Sequence, residues 1–324
     1  MTTKHIYKLP LLTLLVSAGL LTACSSDDDN TVGEDSQSPT EATRLITLEV
    51  NEHPLIDTSA QSRDGLTRSD IITTASLTQF SMTAVYSTEY QSEITQKYGV
   101  EKKTDAGDET TYWVLDPNTW PGGADNNENT KFYAYNGGTF NYNNGNVYLN
   151  YTIPENASDH LDLLVAKNEV AYNSSNQVGK VSLTFDHACA AVTFSIQMTK
   201  TLADSLGNNE LTVNSIKLCN VNNTGKYYFK TNSWAEVGGN TFYTLDNRLG
   251  FVVTTTKENL TSKYLFVIPQ TRAADGTTGT YLEINYTVTG KDPQDANIAL
   301  APNWEAGYKY PILIRLGTKQ INYK

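Results

Sequence analysis

The sequence predicts an all-β protein built as two sandwiches, and three observations lead there. Apolar side chains recur with a period of two along many short segments, the alternation of a strand with one face in a core. Helical periodicity is nearly absent. The segments are separated by clusters of Gly, Asn, Pro and Ser, and strands spaced by such turn signals favour sandwiches over a parallel sheet. The 20 Tyr residues agree, because aromatic rings suit a pleated, half-buried surface. A chain of 324 residues is long enough for two cores.

In order along the chain, Lys4 and Lys8 precede an apolar run over residues 9–21 and then Leu20-Leu21-Thr22-Ala23-Cys24. A basic head, a short apolar run and a small residue before a cut describe an export signal. The run is short for a bilayer span, which wants about 20 apolar residues. Cys24 directly after Leu-Thr-Ala resembles a bacterial lipobox. That resemblance implies cleavage before Cys24 and a lipid, palmitate or a similar chain, on its sulfur; an ordinary secretory signal ending near a cysteine is the alternative. The expected organisation is a signal peptide over 1–23, a flexible acidic stalk over 24–44, an N-terminal sandwich over 45–178 and a C-terminal sandwich over 179–324. The stalk is Ser, Asp, Gln, Pro and Thr, too polar to offset the entropy of ordering.

Order begins at Leu45. Ile46, Leu48 and Val50 alternate with Thr47 and Glu49. The polar stretch 57–70 follows, with Arg63, Gly65 and Arg68. Phe80, Met82, Ala84 and Tyr86 mark a second strand, and residues 112–115, 131–135 and 147–153 mark three more. Asn143-Asn144-Gly145-Asn146 is a turn, since Asn and Gly accept positive φ. Residues 161–166 are apolar apart from Asp162 and read as a buried strand. The Asn/Ser-rich stretch 168–179 is the expected boundary between domains. Beyond it, Val181, Leu183 and Phe185 alternate, and Ala190, Val192, Phe194, Ile196 and Met198 make the cleanest period of two in the chain. Between Val213 and Ile216 the phase slips, which a bulge at Asn214-Ser215 explains. Residues 199–206 allow a turn or two of helix ended by Gly207. Strands over 264–268, 281–289 and 310–316 complete the pattern, with Phe132, Val165, Val192, Phe194, Ile196, Ile284 and Ile314 expected in cores.

Charge and motifs narrow the function. Of 24 Lys+Arg side chains, Lys4 and Lys8 leave with the leader, and 22 then stand against 35 Asp+Glu, a net charge of −13. That sign argues against nucleic acid as a partner and against attraction to an anionic membrane. No nucleophile elbow, zinc-protease helix or phosphate-cradling loop occurs, so neither an enzyme nor a cofactor is expected. Asp159-His160 with Asp162, and Asp186-His187, lack a second His or Cys at ligand spacing; no metal is expected and both read as structural. Asp27 to Asp29 lack the spaced oxygens of a calcium loop. Cys189 and Cys219 sit in strand-like contexts, and a disulfide between them stays open but unsupported by spacing. Trp113, Trp120, Trp234 and Trp304 are candidates for stacking on sugar rings, although core packing explains such residues without a ligand.

Four stretches then resemble one family: Phe132-Tyr133-Ala134-Tyr135 after Trp120-Pro121; Asp162-Leu163-Leu164-Val165-Ala166; VSLTFDHACAAVTFSI over 181–196; and Trp304-Glu305-Ala306-Gly307-Tyr308-Lys309-Tyr310 running into Ile312-Leu313-Ile314-Arg315-Leu316-Gly317. With the lipobox-like start and the loop around Thr67-Arg68, the chain resembles a fimbrillin family protein, a type V pilin-like lipoprotein of Bacteroidales. The resemblance implies two tandem transthyretin-like sandwiches and a precursor anchored by lipid in the outer membrane, with the acidic run after Cys24 as a signal for the cell surface. It implies an arginine-specific protease that removes the first strand, other pilin subunits as partners in a homo- or hetero-polymer, and assembly by donor-strand exchange into a fimbria for cell adhesion. Arg68 and Arg63 are the cleavage candidates, with solvated loop arginines as the alternative. A cut at Arg44 would leave the first strand in place, and one at Arg272 would not open its groove. Ile46, Leu48 and Val50 form the displaced strand, and refilling their pockets together with that of Leu45 is worth about 6–12 kcal/mol. Ile312, Ile314, Leu316, Ile321 and Tyr323 are the donor candidates. A surface glycan-binding lipoprotein, or a tip or anchor subunit, is the alternative function.

Overall fold

The computed structural model describes residues 45–58, 71–87, 93–107, 109–121, 129–171, 178–245, 250–272 and 279–322. Cys24, Arg44, Arg63, Arg68 and Tyr323 lie outside the described residues. The fold is all-β.

The first half supplies β1 (Leu45–Glu52), β2 (Ile56–Asp57), β3 (Gln79–Ser87), β4 (Glu93–Thr104), β5 (Thr111–Asp116), β6 (Asn129–Tyr135), β7 (Thr139–Asn143), β8 (Asn146–Thr152), β9 (Leu164–Ala171) and β10 (Val178–His187). Seven of these form one sheet in the order β1-β10-β9-β6-β3-β4-β5. Its two ends are brought together by a bridge between Leu45 and Thr119, so the sheet closes over its own core. Ile46, Phe80, Met82, Tyr98, Phe132 and Phe185 lie in that core. The β7–β8 hairpin turns on Asn144 and Gly145, both at positive φ (47° and 79°). That is the two-residue geometry Asn-Gly favours.

The second half supplies β11 (Ala190–Met198), α1 (Lys200–Leu206), β12 (Leu211–Val221), β13 (Thr224–Tyr228), β14 (Ser233–Gly238), β15 (Thr241–Thr244), β16 (Phe251–Val252), β17 (Glu258–Asn259), β18 (Leu265–Val267), β19 (Gln270–Thr271), β20 (Tyr281–Val288), β21 (Gln294–Ala299), β22 (Asn303–Trp304) and β23 (Tyr308–Leu316). One sheet runs β17-β11-β23-β2 with β18 on β11, and another runs β15-β12-β20-β21 with β16 on β12. Val192, Phe194, Ile196, Ile216, Ile284 and Leu316 from these two sheets share the second core. The bulge expected at Asn214-Ser215 is present, as the β12–β20 register shifts between Val213 and Ser215. The short helix is capped by Thr199, whose side chain accepts from the Leu202 N–H, and ends at Gly207 (φ 60°).

Two features depart from the sequence expectation. The strands on either side of the expected domain boundary, β9 and β10, belong to the same seven-stranded sheet, where β10 pairs with β1 and β9. After β10 the chain leaves that sheet at Ala188–Cys189 and enters β11 of the next. Polar Asn/Ser runs mark turns, and a turn within a sheet has the same composition as one between domains. Second, β7 and β8 join β13 and β14 in a four-stranded sheet, order β14-β13-β8-β7, drawn from both halves. The continuous apolar run at residues 163–166 follows from this arrangement. Leu164 faces the first core and Val165 the second, so both faces of β9 are buried at its start, over Leu164, Val165 and Ala166.

Candidate assembly interface

The segment 45–58 is an edge piece of two sheets at once. β1 pairs in parallel with β10 along its whole length, Leu45 opposite Val178 through Glu52 opposite Phe185. Period-two alternation turns Ile46 fully inward (4% exposed), with Leu48 and Val50 half-buried behind it. On the opposite face Glu49 meets the Lys180 ammonium at 2.9 Å and accepts from the Ser182 hydroxyl at 2.7 Å. These contacts hold the Glu49 carboxyl below its usual range, the Lys180 bond contributing most. Leu45 is 41% exposed, so the side chains that β1 buries are fewer than the alternation alone implies.

Past β1 the segment crosses to the other sheet. The His53 N–H donates to the Phe185 carbonyl at 2.8 Å, and its imidazole Nδ1 lies 2.6 Å from Asp186 Oδ1. Leu55 enters the second core. β2 then pairs in parallel with β23, Ile56 opposite Tyr308 and Asp57 opposite Lys309. The Ile56 N–H donates to Gly307 O at 2.8 Å, and the Thr58 hydroxyl to Lys309 O at 2.6 Å.

The chain returns at Ile71 onto a buried, hydrogen-bonded Asp–His pair. His187 Nδ1 donates to Asp162 Oδ1 at 2.9 Å, with both side chains nearly inaccessible (2% and 0% exposed). Asp162 Oδ2 accepts the Ile72 N–H at 2.9 Å. The two Asp-His motifs of the sequence therefore supply one partner each to a single structural pair. Nothing local signals that, since the partners are 25 residues apart, Asp162 ahead of β9 and His187 at the end of β10. Close by, Glu52 at the end of β1 has a buried Oε2 with no hydrogen-bond partner, and burial raises its carboxyl above the usual range.

The donor candidates occupy fixed places in the chain's own fold. β23 pairs in parallel with β11 from Ala191–Lys309 to Met198–Leu316. Ile314 and Leu316 are buried, Ile312 is half-buried and Ile321 is 2% exposed. Among the described residues, the outer edge of β23 is paired with β2 at Tyr308 and Lys309.

The remaining singled-out residues pack. Trp120 is buried against Phe132 (ring centroids 5.2 Å apart) and against Gly179, where a Cβ would fall 2.2 Å from the indole. Trp304 is buried in the second core, and the Trp234 indole donates to Ala188 O at 2.6 Å. Trp113 stacks edge-on with Phe80. Arg272 is tied to Asn222 and Pro302. Cys189 and Cys219 are separate buried thiols, and burial pushes the Cys189 thiol up. Among the described residues no group of three or more metal-ligating side chains converges.

A sequence profile described as fimbrillin-like matches residues 67–323. Among solved structures, a protein of Bacteroides uniformis proposed to act in cell adhesion is 16% identical, with 88% of this chain and 96% of that one covered at a TM-score of 0.46. One from Bacteroides eggerthii, also proposed to act in cell adhesion, is 13% identical over 85% and 86%, at 0.48. A fimbrial assembly protein of Parabacteroides distasonis is 14% identical over 84% and 90%, at 0.40. No curated protein matches the chain.

Proposed function

Since the chain belongs to the fimbrillin-like family, we propose that it is a fimbrial subunit, exported to the cell surface as a lipoprotein precursor on Cys24, cut after Arg68 or Arg63 and assembled by donor-strand exchange. Its partners are then other pilin subunits, an arginine-specific protease and, through the lipid, the outer membrane. The two cores correspond in this reading to two sandwich domains.

One observation carries the reading: the stretch between the lipid-bearing end and the arginines contains an edge strand of both sheets. Its removal leaves a row of unpaired N–H and C=O groups on β10, a template for a foreign strand. The vacated pockets are those of Ile46 and, by about half, Leu48 and Val50, worth roughly 3–6 kcal/mol to whatever refills them. That is below the 6–12 kcal/mol expected from alternation alone, because Leu45 is exposed and two of the pockets are shallow.

Removal of the same segment also uncovers β23, since β2 is its outer neighbour. Ile312, Ile314, Leu316 and Ile321, with Tyr323 beyond them, are the donor side chains in this reading. They must leave their own core to act, so the cut that opens the acceptor groove also loosens the donor. While the first segment remains covalently attached, its high effective concentration keeps both edges covered.

The test is to incubate the purified precursor with an arginine-specific protease and run it unboiled on a gel. The uncut chain is expected to stay monomeric and the cut chain to form ladders. Ladders from an Arg63→Ala/Arg68→Ala double variant, or none from the cut wild type, would count against strand exchange. The latter would favour a tip or anchor subunit.

A further inference from the structure

A cavity of about 580 Å³ opens beside β15, away from the edges used in the assembly reading. Among the described residues β15 is the terminal strand of its sheet. Residues 261–265 and the turn at 155–158 form the other walls. The volume falls within the range of small-molecule sites, about 300–1,000 Å³.

The strand's alternation prepares the site. Tyr243 and Leu245 point into the core, whereas Phe242 and Thr244 point out. Phe242 is 55% exposed, with the Lys217 ammonium 5.5 Å from its ring centroid, so much of its apolar surface is accessible to a ligand. Behind it, Tyr243 is held edge-on by His160, ring centroids 4.5 Å apart. Burial holds the His160 imidazole down to about 4, so this support is uncharged at neutral pH.

The lining selects the ligand class. Two rings, Phe242 and Tyr264, stand with the Thr244 hydroxyl and with Ser158 and Asn156, each of which gives one hydrogen to Asp159 (3.1 and 3.2 Å) and keeps its oxygen as an acceptor. Hydroxyls and amides both donate and accept, which matches a ligand whose own hydroxyls do both. Glu155 and Lys263 are the charged members and cancel, which disfavours phosphates and cations. A wholly apolar ligand would desolvate the Thr244 hydroxyl and the Asn156 carbonyl oxygen without offering them a hydrogen bond. The chemistry left is a ring with an apolar C–H face and a polyhydroxyl rim. We infer that this cavity is a binding site for a neutral saccharide, with Phe242 as the stacking platform.

The experiment is saturation-transfer NMR on the full, uncut chain, with galactose, N-acetylglucosamine, lactose and cellobiose as probes at millimolar concentration. At least one probe is expected to bind saturably. Phe242→Ala is expected to weaken it about tenfold, the contribution of one aromatic contact, and Phe242→Trp to retain it. Tyr112→Ala, which removes an equally exposed ring (51%) on β5, should change nothing. Because Phe242 is exposed, its removal leaves the fold intact, and circular dichroism checks that. Absence of binding by all four probes, or equal binding by Phe242→Ala, overturns the inference. No polymer is involved, so the outcome is independent of strand exchange.

Discussion

Ile56 of the first segment lies in parallel register beside Tyr308 of the last strand, the Ile56 N–H bonded to Gly307 O at 2.8 Å. The two ends of the described chain therefore share one sheet edge, and loss of one end deprotects the other. After cleavage with an arginine-specific protease, amide exchange over 308–316 is expected to accelerate, while exchange in β12 and β20 stays slow. Equal protection of β23 before and after cutting would break this link.

The buried Asp162–His187 pair anchors the chain where it returns to the sheets. Asp162→Ala would strand a buried imidazole and the Ile72 N–H together, a loss of roughly 2–6 kcal/mol at about 1–3 for each orphaned donor. Asp162→Asn keeps an acceptor for one of the two donors and should lose distinctly less. Urea unfolding of both variants makes the comparison. Equal, small losses would show that the pair contributes little.

His160 titrates against burial. Its folded value is pushed from 6.5 to about 4, so between those values the unfolded chain binds the extra proton. Stability is then fully present above about 6.5 and falls as pH drops toward 4, by roughly 3 kcal/mol in total. His160→Phe keeps a ring against Tyr243 and should flatten the profile in that window. An unchanged pH dependence in the variant would assign the titration to another group.

Gly179 pairs with Ile46 and lies under Trp120. A methyl group there meets the indole at 2.2 Å, and the ring is packed on its other side by Phe132. Gly179→Ala is expected to cost about 1–3 kcal/mol and to speed the departure of the first segment after cleavage. Thermal unfolding reads the first effect and size-exclusion chromatography of the cut protein the second. A silent substitution on both counts would mean that Trp120 moves aside freely.

Attachment to the membrane rests on Cys24 in the proposed route. Cys24→Ser should abolish incorporation of labelled fatty acid and release the protein from the membrane fraction. Undiminished labelling would refute lipidation at this residue.

The sequence by itself determined which faces are buried and where the chain turns. Period-two alternation marked β1, β10 and β11, the slip at Asn214 marked a bulge, and Asn144-Gly145 marked a hairpin. These signals are local, set by side-chain direction and by φ. The polar strand β4 left little trace, because only Tyr98 and Val100 of its 12 residues are fully buried. Only the tertiary structure decided which strand neighbours which. It carried β10 into the first sheet, paired β8 with β13 and set two residues of β2 against β23. It also brought Asp162 to His187 and exposed Phe242 over a cavity. Alternation specifies a face but not a partner, because every edge offers the same N–H and C=O groups; the partner follows from how the whole chain closes its cores.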